Sequence, residues 1–430
     1  MADQKADVSN ASLEPKKTPH SLITEEHVKA ALKTDKGPDA RPTSWVVKDF
    51  TKKGDNYACV VTSIEVQYQL SGIEHQVTYI AKLNPCRHTE SLNSFATAVF
   101  EKETGFYREI VPLLNAELQS IGQDPLKFAR CFATFTGKHS EVIILEDLRP
   151  GGFQMFDRKK GMDKAHTTLV VKELGRLHAA SKLMMGKLPY KLEEKYPFIK
   201  KDFTSFSENP DAGVNSIFKS YLHNAAEIAE RIGGYENVVK WLRNAAPDSI
   251  NMFEEQIKSN PPFEVICHGD CWNNNVLFSY SDEGVPTDVR LVDLQICRKS
   301  SPATDLNYLM YTSLNGNDRR ENIDSFLNSY YNSFSRVLKD GDEDSPFTIE
   351  ELKREYRNKH LFGLLMATMV VPIVVSEATE VMDLDNLKSD DVELFMKEQR
   401  ERMLKQLDSN PLLRPRLLSV FDDMVEYGVI

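Results

Sequence analysis

Residues 265–278, VICHGDCWNNNVLF, contain a dense group of polar side chains between two short apolar runs. Val265 to Cys267 leads into His-Gly-Asp, and Val276 to Phe278 follows three asparagines. The apolar runs predict two short buried strands. The polar residues then lie in the connecting loop, where a rigid frame commonly presents reactive groups.

Three side chains of this region are expected to converge at strand ends. Asp270 follows the first strand and Asn275 precedes the second, while Asp293 follows another apolar run in LVDLQ, residues 291–295. Mg²⁺ prefers carboxylate, amide and phosphate oxygens as ligands. We therefore expect Asn275 and Asp293 to hold Mg²⁺, and Asp270 to accept or orient the proton of an attacking hydroxyl, which is the chemistry of phosphoryl transfer.

Each of these residues also has an ordinary structural explanation. Asp270 could cap a turn, Asn275 could satisfy loop backbone, and Asp293 could be a solvated strand end. Their occurrence together, between two apolar runs, favours the catalytic interpretation. We interpret the neighbouring His268 as a hydrogen-bond partner of the loop backbone rather than as the base.

The sequence before this stretch begins with β patterns. Residues 57–84 are rich in Val, Ile, Tyr and Thr around the turn SGIE, which predicts an antiparallel pair of strands. Helical spacing follows over residues 91–114, and the runs FARCFATF and EVIILEDL are again strand-like. A short helix with Thr24 as its N-cap is expected before them.

The composition changes after residue 148. The turn-rich connector LRPGGF is followed by sequence with mostly helical periodicity, including HTTLVVKELGRLHAASKLM. We therefore predict an α+β fold with a β-rich N-terminal lobe, residues 19–148, and a helix-rich C-terminal lobe, residues 149–430. Residues 1–18 are polar and low in aromatics, which predicts a disordered tail.

The N-terminal lobe contains candidate groups for binding nucleotide phosphates. Lys82 lies in the apolar strand YIAKLNP, and Glu103 lies on the following helix, on the same stripe as Val99 and Phe106. A strand lysine paired with a helix glutamate holds the α- and β-phosphates in protein kinases. Glu101 is the rival acid, and an exposed lysine at a strand edge is the alternative for Lys82.

Two further segments are weaker candidates for nucleotide contacts. Gly54, Asp55 and Asn56 can form a turn whose backbone N–H groups cover phosphates, although an ordinary β-turn has the same sequence features. In the connector between the lobes, the carbonyl of Glu146 and the N–H of Leu148 are expected to reach the adenine edge.

Composition restricts the class of protein. The chain has 430 residues and a net charge of −11, which argues against general affinity for nucleic acid or anionic membranes. The N-terminus lacks an apolar targeting segment, and the apolar run of residues 361–375 is too short to span a bilayer and contains Pro372. Six scattered cysteines favour a reduced, cytoplasmic setting. No second ligand pair completes a zinc site with Cys267, His268 and Cys271.

Several segments, in this order, resemble the ecdysteroid kinase-like family, a CHK kinase-like group related to choline kinases and aminoglycoside phosphotransferases. They are GDNYAC, YIAKLNP, FEKETGFYREIVP, ILEDL, LGRLHAAS, HGDCWNNNVLF and LVDLQ. The resemblance covers about residues 40–400. It implies a bilobal protein-kinase-like fold, ATP with Mg²⁺ as phosphate donor, and a small-molecule alcohol, with ecdysteroids as the named class, as acceptor.

The same resemblance assigns roles by matching positions. Asp270 corresponds to the base, Asn275 and Asp293 to the metal ligands, and Lys82 and Glu103 to the phosphate-positioning pair. Asp305, in SPATDLNYLM, resembles an acid that braces the catalytic loop from a helix, and a simple N-cap is the alternative.

The sequence departs from protein kinases in having VDLQ for DFG and HGD for HRD, and in lacking an APE segment, which weighs against a protein substrate. A kinase for choline, ethanolamine or a xenobiotic, and a nucleotide-binding pseudokinase, are the alternative functions. For a cationic acceptor, the acidic residues 380–395 are a candidate contact, and a solvated helix face is the alternative.

Overall fold

The structure, a computed structural model, describes residues 18–50, 59–87, 90–202, 214–377 and 392–430. Within these ranges, an antiparallel sheet in the N-terminal part is followed by a mostly helical C-terminal part. The predicted α+β class, with a β-rich first part and a helix-rich second part, is confirmed. The expected tail lies almost wholly outside the described residues.

The N-terminal sheet has five strands in the order β1-β2-β3-β5-β4, with every neighbouring pair antiparallel. The strands are β1 (Arg41–Asp49), β2 (Val60–Leu70), β3 (Ile73–Leu83), β4 (Cys131–Phe135) and β5 (Val142–Glu146). The pair predicted within residues 57–84 is β2 and β3, joined by a turn in which Ser71 and Gly72 both have positive φ. The edge strand β1 was not predicted, because its exposed, mixed-polarity sequence lacks strict alternation.

Helices pack around this sheet as the sequence patterns indicate. Helix α1 (Glu25–Lys36) begins after Thr24, whose side chain accepts a hydrogen bond from the N–H of His27, so the predicted N-cap is confirmed. The helix predicted over residues 91–114 is α2 (Glu90–Gly105), continued by a π-helical segment, Phe106–Ile110, and by α3 (Val111–Ser120). Helical structure therefore extends beyond the predicted end.

The second part contains eleven α-helices and five short strands within the described ranges. The helices are α4 (Lys164–Lys187), α5 (Leu192–Lys195), α6 (Val214–Ile232), α7 (Glu236–Ala245), α8 (Ser249–Ile257), α9 (Pro302–Ser313), α10 (Gly316–Asp340), α11 (Ile349–Asn358), α12 (His360–Val375), α13 (Val392–Ser409) and α14 (Leu413–Glu426). The strands are β6 (Gln154–Met155), β7 (Val265–Cys267), β8 (Val276–Tyr280), β9 (Pro286–Leu291) and β10 (Arg298–Ser300). Strand β7 pairs with β10, and β6, β8 and β9 form a separate three-stranded sheet.

The two parts share one hydrophobic core cluster. It includes Phe106 and Ile143 from the first part and Leu174, Val276 and Phe334 from the second. The backbone also crosses between them, since the N–H of Leu291 donates to the carbonyl of Lys127 over 2.9 Å. The two parts therefore pack against each other, and a lobe boundary at residue 148 remains a prediction.

Helix α12 is the apolar run that the sequence marked as a buried helix. Its side chains are mostly buried, it contains Pro372, and it ends at Val375. Among the described residues, no single helix is long and apolar enough to cross a membrane. Helices α11 and α12 reach the length and apolar character of a membrane span only when they are taken together, and they are bent by 51° relative to each other.

Candidate active site

The loop after β7 places Asp270 through a glycine with a special conformation. Gly269 has φ of +83°, and a Cβ at this position would lie 2.3 Å from the carbonyl oxygen of Ile296. Only glycine fits both the left-handed backbone and this close approach. The chain can therefore turn sharply between His268 and Asp270, and it directs the carboxylate away from β7.

Both oxygens of the Asp270 carboxylate accept hydrogen bonds. The side-chain amide of Asn275 donates to Oδ2 over 2.9 Å, and the hydroxyl of Tyr308 donates to Oδ1 over 2.7 Å. Asn275 also donates to the backbone carbonyl of Asp270 over 2.9 Å. Burial, and next the charge of Asp293, raise the pKa of Asp270 above its usual value. The hydrogen bond from Tyr308 opposes that shift, and the bonds from Tyr308 and Asn275 restrict the orientation of the carboxylate.

Asn275 and Asp293 are brought together by the pairing of β8 with β9. The N–H of Val292 donates to the carbonyl of Asn275 over 3.0 Å, at the end of the ladder where Asp293 begins the next loop. Asp293 has φ of 70°, a conformation that is uncommon for residues other than glycine and that often marks a functional site. The convergence predicted from the sequence is therefore present.

The donor set around Asp293 fits a magnesium ion. Asp293 supplies carboxylate oxygens, and Asn275 donates through its nitrogen to Asp270, so its Oδ1 is not used in that bond. Gln295 donates to Oδ2 of Asp293 over 3.2 Å, while its own Oε1 is buried and has no hydrogen-bond partner among the described residues. Hard oxygen atoms of this kind are the ligands that Mg²⁺ prefers.

Lys82 enters the same cluster from β3. Its Nζ lies 2.5 Å from Oε2 of Glu103 and 2.7 Å from Oδ1 of Asp293, so the predicted lysine–glutamate pair is present. The N–H of Leu294 donates to the other oxygen of Glu103 over 3.3 Å. Glu101, the rival acid, instead pairs with Lys201 at the surface. The contacts of Glu103 therefore link helix α2 to the loop after β9.

Asp305 holds the backbone of the loop after β7. On α9, its carboxylate accepts from the N–H groups of His268 over 2.7 Å and Gly269 over 2.8 Å, and it lies 3.1 Å from Nε2 of His178. Burial opposes ionisation, but the hydrogen bond and charge of His178 outweigh it and lower the pKa of Asp305. The alternative of an N-cap is wrong, because Ser301 caps this helix.

His268 has the backbone contacts that we expected. Its Nε2 lies 3.0 Å from the carbonyl of Val292, and the N–H of Asp270 donates to its Nδ1 over 3.3 Å. These contacts together require the tautomer that carries its proton on Nε2. The imidazole therefore ties the loop of Asp270 to the loop of Asp293.

The other residues predicted to contact the nucleotide make no hydrogen bond or ion pair with this cluster among the described residues. Glu146 ends β5, and Leu148 is a buried residue in the connector that follows it. Gly54, Asp55 and Asn56 lie outside the described residues. The roles proposed for these five positions remain predictions.

Sequence reasoning missed two side chains of the cluster, Tyr308 and Gln295. Tyr308 lies one turn after Asp305 on α9, so the predicted contact of Asp305 with the loop implies that Tyr308 faces it too. Gln295 follows Asp293 by two residues, but nothing in a short loop sequence specifies its direction. Helical spacing could therefore have placed Tyr308 in the cluster, whereas no sequence pattern could have placed Gln295 there.

These features together define a kinase-like phosphotransferase. A strand lysine paired with a helix glutamate faces a loop that carries an aspartate, an asparagine and a second aspartate, as in enzymes that position a triphosphate and a metal ion. The model of the ecdysteroid kinase-like family matches residues 53–342, and the chain belongs to this family. It is an ATP-dependent phosphotransferase with an alcohol group as acceptor.

Comparison with solved structures gives more distant similarities. Glucosamine kinase, in complex with glucosamine, ADP and inorganic phosphate, is 15% identical with a TM-score of 0.38, over 89% of this chain and 88% of that chain. A thermostable mutant of an aminoglycoside phosphotransferase is 9% identical with a TM-score of 0.31, over 90% of this chain and 98% of that chain. No curated protein sequence matches the chain.

Proposed function

We propose that this protein transfers the γ-phosphate of ATP to a hydroxyl of an ecdysteroid or a similar apolar alcohol, with Asp270 as the base. The observation that carries the proposal is the convergence of Asp270, Asn275 and Asp293 with the pair of Lys82 and Glu103. Residues far apart in the chain form one connected polar cluster. The pairing of Lys82 with Glu103 and Asp293 stabilises these buried charges, and the cluster matches the set of groups that positions a triphosphate and a metal ion.

In the proposed reaction, the acceptor oxygen attacks the γ-phosphorus and a new O–P bond forms. The bond between that phosphorus and the oxygen that bridges it to the β-phosphate breaks, and ADP leaves with the electron pair. The hydroxyl proton passes to a carboxylate oxygen of Asp270. The raised pKa of Asp270 suits this role, because a stronger base accepts the proton more readily.

The phosphate end of the site would be organised by charge. Asn275 Oδ1 and the carboxylate of Asp293 would hold Mg²⁺, which when bound neutralises phosphate charge. Lys82 remains a cation: its burial acts to lower its pKa, but Asp293 and Glu103 raise it well above the usual value. Glu103 fixes the direction of the ammonium group, which would face the α- and β-phosphates.

The acceptor side of Asp270 favours a neutral alcohol. Trp272 and Tyr308 pack with Phe253 and Phe362 in one hydrophobic cluster. The guanidinium of Arg298 already lies 5.8 Å from the ring centroids of Phe253 and Phe362, so these two rings are not open to a cationic acceptor. The nearby acid Asp202 is neutralised by Arg298, which also lies 3.4 Å from the carbonyl of Gly269.

The described residues therefore offer little to a cationic acceptor such as choline. Residues 380–395, the acidic candidate, lie mostly outside the described residues. We place the activity in the cytoplasm, with a small-molecule partner and no nucleic acid.

Product mass spectrometry tests this proposal. The purified protein is incubated with ATP·Mg²⁺ and a panel of ecdysteroids, other sterols, choline and ethanolamine. A phosphate added to an ecdysteroid by the wild type but not by Asp270→Asn is the expected result. The exposed Asp282→Asn, an identical chemical change in the hairpin of β8 and β9, should behave like the wild type. Equal product from Asp270→Asn and wild type would remove Asp270 from its role, and product from choline alone would overturn the acceptor class.

A further inference from the structure

The hydroxyl of Tyr308 is a buried polar group directed at the proposed base. The side chain is 3% exposed and its ring packs against Phe362 in a hydrophobic cluster. Its hydroxyl lies 2.7 Å from Oδ1 of Asp270. Burial, and next the charge of Asp270, raise the pKa of Tyr308 well above its usual value, so the phenol keeps its proton and donates.

Helix α9 supports the catalytic loop at two points through one face. Asp305 and Tyr308 are three residues apart, which places them on the same side of a helix. Asp305 holds the backbone of His268 and Gly269, and Tyr308 holds the side chain of the next residue. Every residue of α9 is buried, so the helix is a rigid support.

The neighbouring Tyr311 shows that a buried phenol on this helix does not need a catalytic partner. Its side chain is 1% exposed, one turn further along α9, and its hydroxyl lies 3.3 Å from Nδ1 of His360. Satisfying a buried hydroxyl therefore explains the contact of Tyr311. It does not explain why Tyr308 lies against the one carboxylate that must present a free lone pair to an acceptor.

We propose that Tyr308 is a positioning residue for the phosphoryl-transfer step. Its hydrogen bond fixes the Asp270 carboxylate about its side-chain torsions, opposite the hydrogen bond from Asn275. Each carboxylate oxygen has two lone pairs, and the bonds from Tyr308 and Asn275 restrict the directions in which the remaining lone pairs face. The inference rests on the proposed role of Asp270 and adds the group that orients it.

The test compares Tyr308→Phe with the matched Tyr311→Phe, using ATP·Mg²⁺ with ecdysone as acceptor and basal ATP hydrolysis as a second readout. Loss of a hydrogen bond to a charged group predicts that Tyr308→Phe lowers kcat by about 10- to 100-fold. KM for ATP and Kd for Mg²⁺·ADP should change less than about 2-fold, because the phosphate-binding groups are untouched. Tyr311→Phe should keep kcat within about 2-fold of wild type, since its hydroxyl does not contact the base.

A kcat of Tyr308→Phe equal to that of wild type, with Asp270→Asn inactive, would overturn this inference and leave the proposed function standing. Turnover by Asp270→Asn would instead overturn the proposed function. Similar losses of kcat in both tyrosine variants would assign Tyr308 a merely structural role. If the wild type neither phosphorylates ecdysone nor hydrolyses ATP, a crystal structure with Mg²⁺·ADP provides the test. A Tyr308 hydroxyl further than about 3.5 Å from the Asp270 carboxylate would then refute the positioning role.

Discussion

Lys82 and Asp293 are 211 residues apart in the chain, and the Nζ of the lysine lies 2.7 Å from Oδ1 of the aspartate. The ion pair joins strand β3 of the N-terminal sheet to the loop after β9. Glu103 on α2 completes the arrangement from the other side of the lysine. A change at any of these three residues should therefore affect nucleotide binding more strongly than the proton transfer at Asp270.

Glu103→Gln is predicted to weaken nucleotide binding. The amide keeps the shape of the side chain but removes the charge that directs the ammonium group of Lys82, a residue that is 6% exposed. Hydrogen bonds between charged groups contribute about 1.5–3 kcal/mol, so we expect Kd for Mg²⁺·ADP to rise roughly 10-fold or more. Isothermal titration calorimetry measures this change directly.

Glu101→Gln is the matched control for that experiment. Glu101 is two residues away on the same helix and pairs with Lys201 at the surface, where ion pairs contribute little. Its Kd should stay within about 2-fold of wild type. Equal weakening by the two substitutions would show that the charge of Glu103 has no special role.

Asp293→Asn is predicted to weaken binding of a divalent cation in the presence of ADP. The substitution removes a charged oxygen ligand while keeping the volume of the side chain. Electron paramagnetic resonance with Mn²⁺ as a probe should show affinity at least about 10-fold lower than that of wild type. Asp282→Asn should leave the Mn²⁺ affinity unchanged, and an unchanged affinity in Asp293→Asn would exclude this residue as a ligand.

Most residues of the cluster could be predicted, because each lies at the end of an apolar run or on the buried stripe of a helix. That pattern indicated Asp270, Asn275, Asp293 and Lys82 without any structure. It also indicated the face of α2 that carries Glu103. Local periodicity reports which residues are buried, and a charged residue at a buried position is informative by itself.

Pairings between distant elements were not predictable in the same way. Strand β7 pairs with β10 and not with β8. Asp270 and Asn275 are therefore joined by a hydrogen bond between their side chains and not by pairing of the strands that flank them. Helical spacing places Tyr308 on the same face of α9 as Asp305, but in a fully buried helix this spacing does not distinguish a core residue from one that supports the catalytic loop. Such assignments depend on tertiary packing, which local pattern does not encode.

Acid pH is predicted to destabilise the fold through His360. This side chain is 2% exposed, and burial, with smaller contributions from Arg357 and Arg319, lowers its pKa to about 4. Its Nδ1 lies 3.0 Å from Oδ1 of Asn307, a contact that the neutral ring satisfies. Because the folded-state pKa lies below the unfolded value of about 6.5, only the unfolded chain gains a proton between pH 6.5 and 4.

Stability attributable to His360 is therefore complete above pH 6.5 and falls as the pH approaches 4. The expected loss is about 2 kcal/mol between pH 7 and 5. Urea unfolding at both pH values measures it, and His360→Gln should flatten the difference by that amount. His75→Gln, at an exposed position on β3, should leave the difference unchanged. A wild-type slope retained in His360→Gln would assign the acid sensitivity to other groups.

Gly269→Ala is predicted to lower both stability and activity. Gly284→Ala separates the effect of the positive φ from the effect of a steric clash. Both glycines have positive φ, +83° and +76°, which disfavours any residue with a Cβ by about 1–2 kcal/mol. A Cβ at position 284 would meet no atom within 4 Å, whereas at position 269 it would lie 2.3 Å from the carbonyl oxygen of Ile296. At position 269 the backbone must then move, and the Asp270 carboxylate moves with it.

The two glycine variants should therefore differ in both stability and turnover. We expect Gly284→Ala to lose about 1 kcal/mol of unfolding free energy and to keep full turnover. Gly269→Ala should lose at least about 2 kcal/mol more and most of its kcat. Urea unfolding and steady-state kinetics on the two variants measure both quantities, and similar behaviour of the two would show that the loop after β7 tolerates displacement.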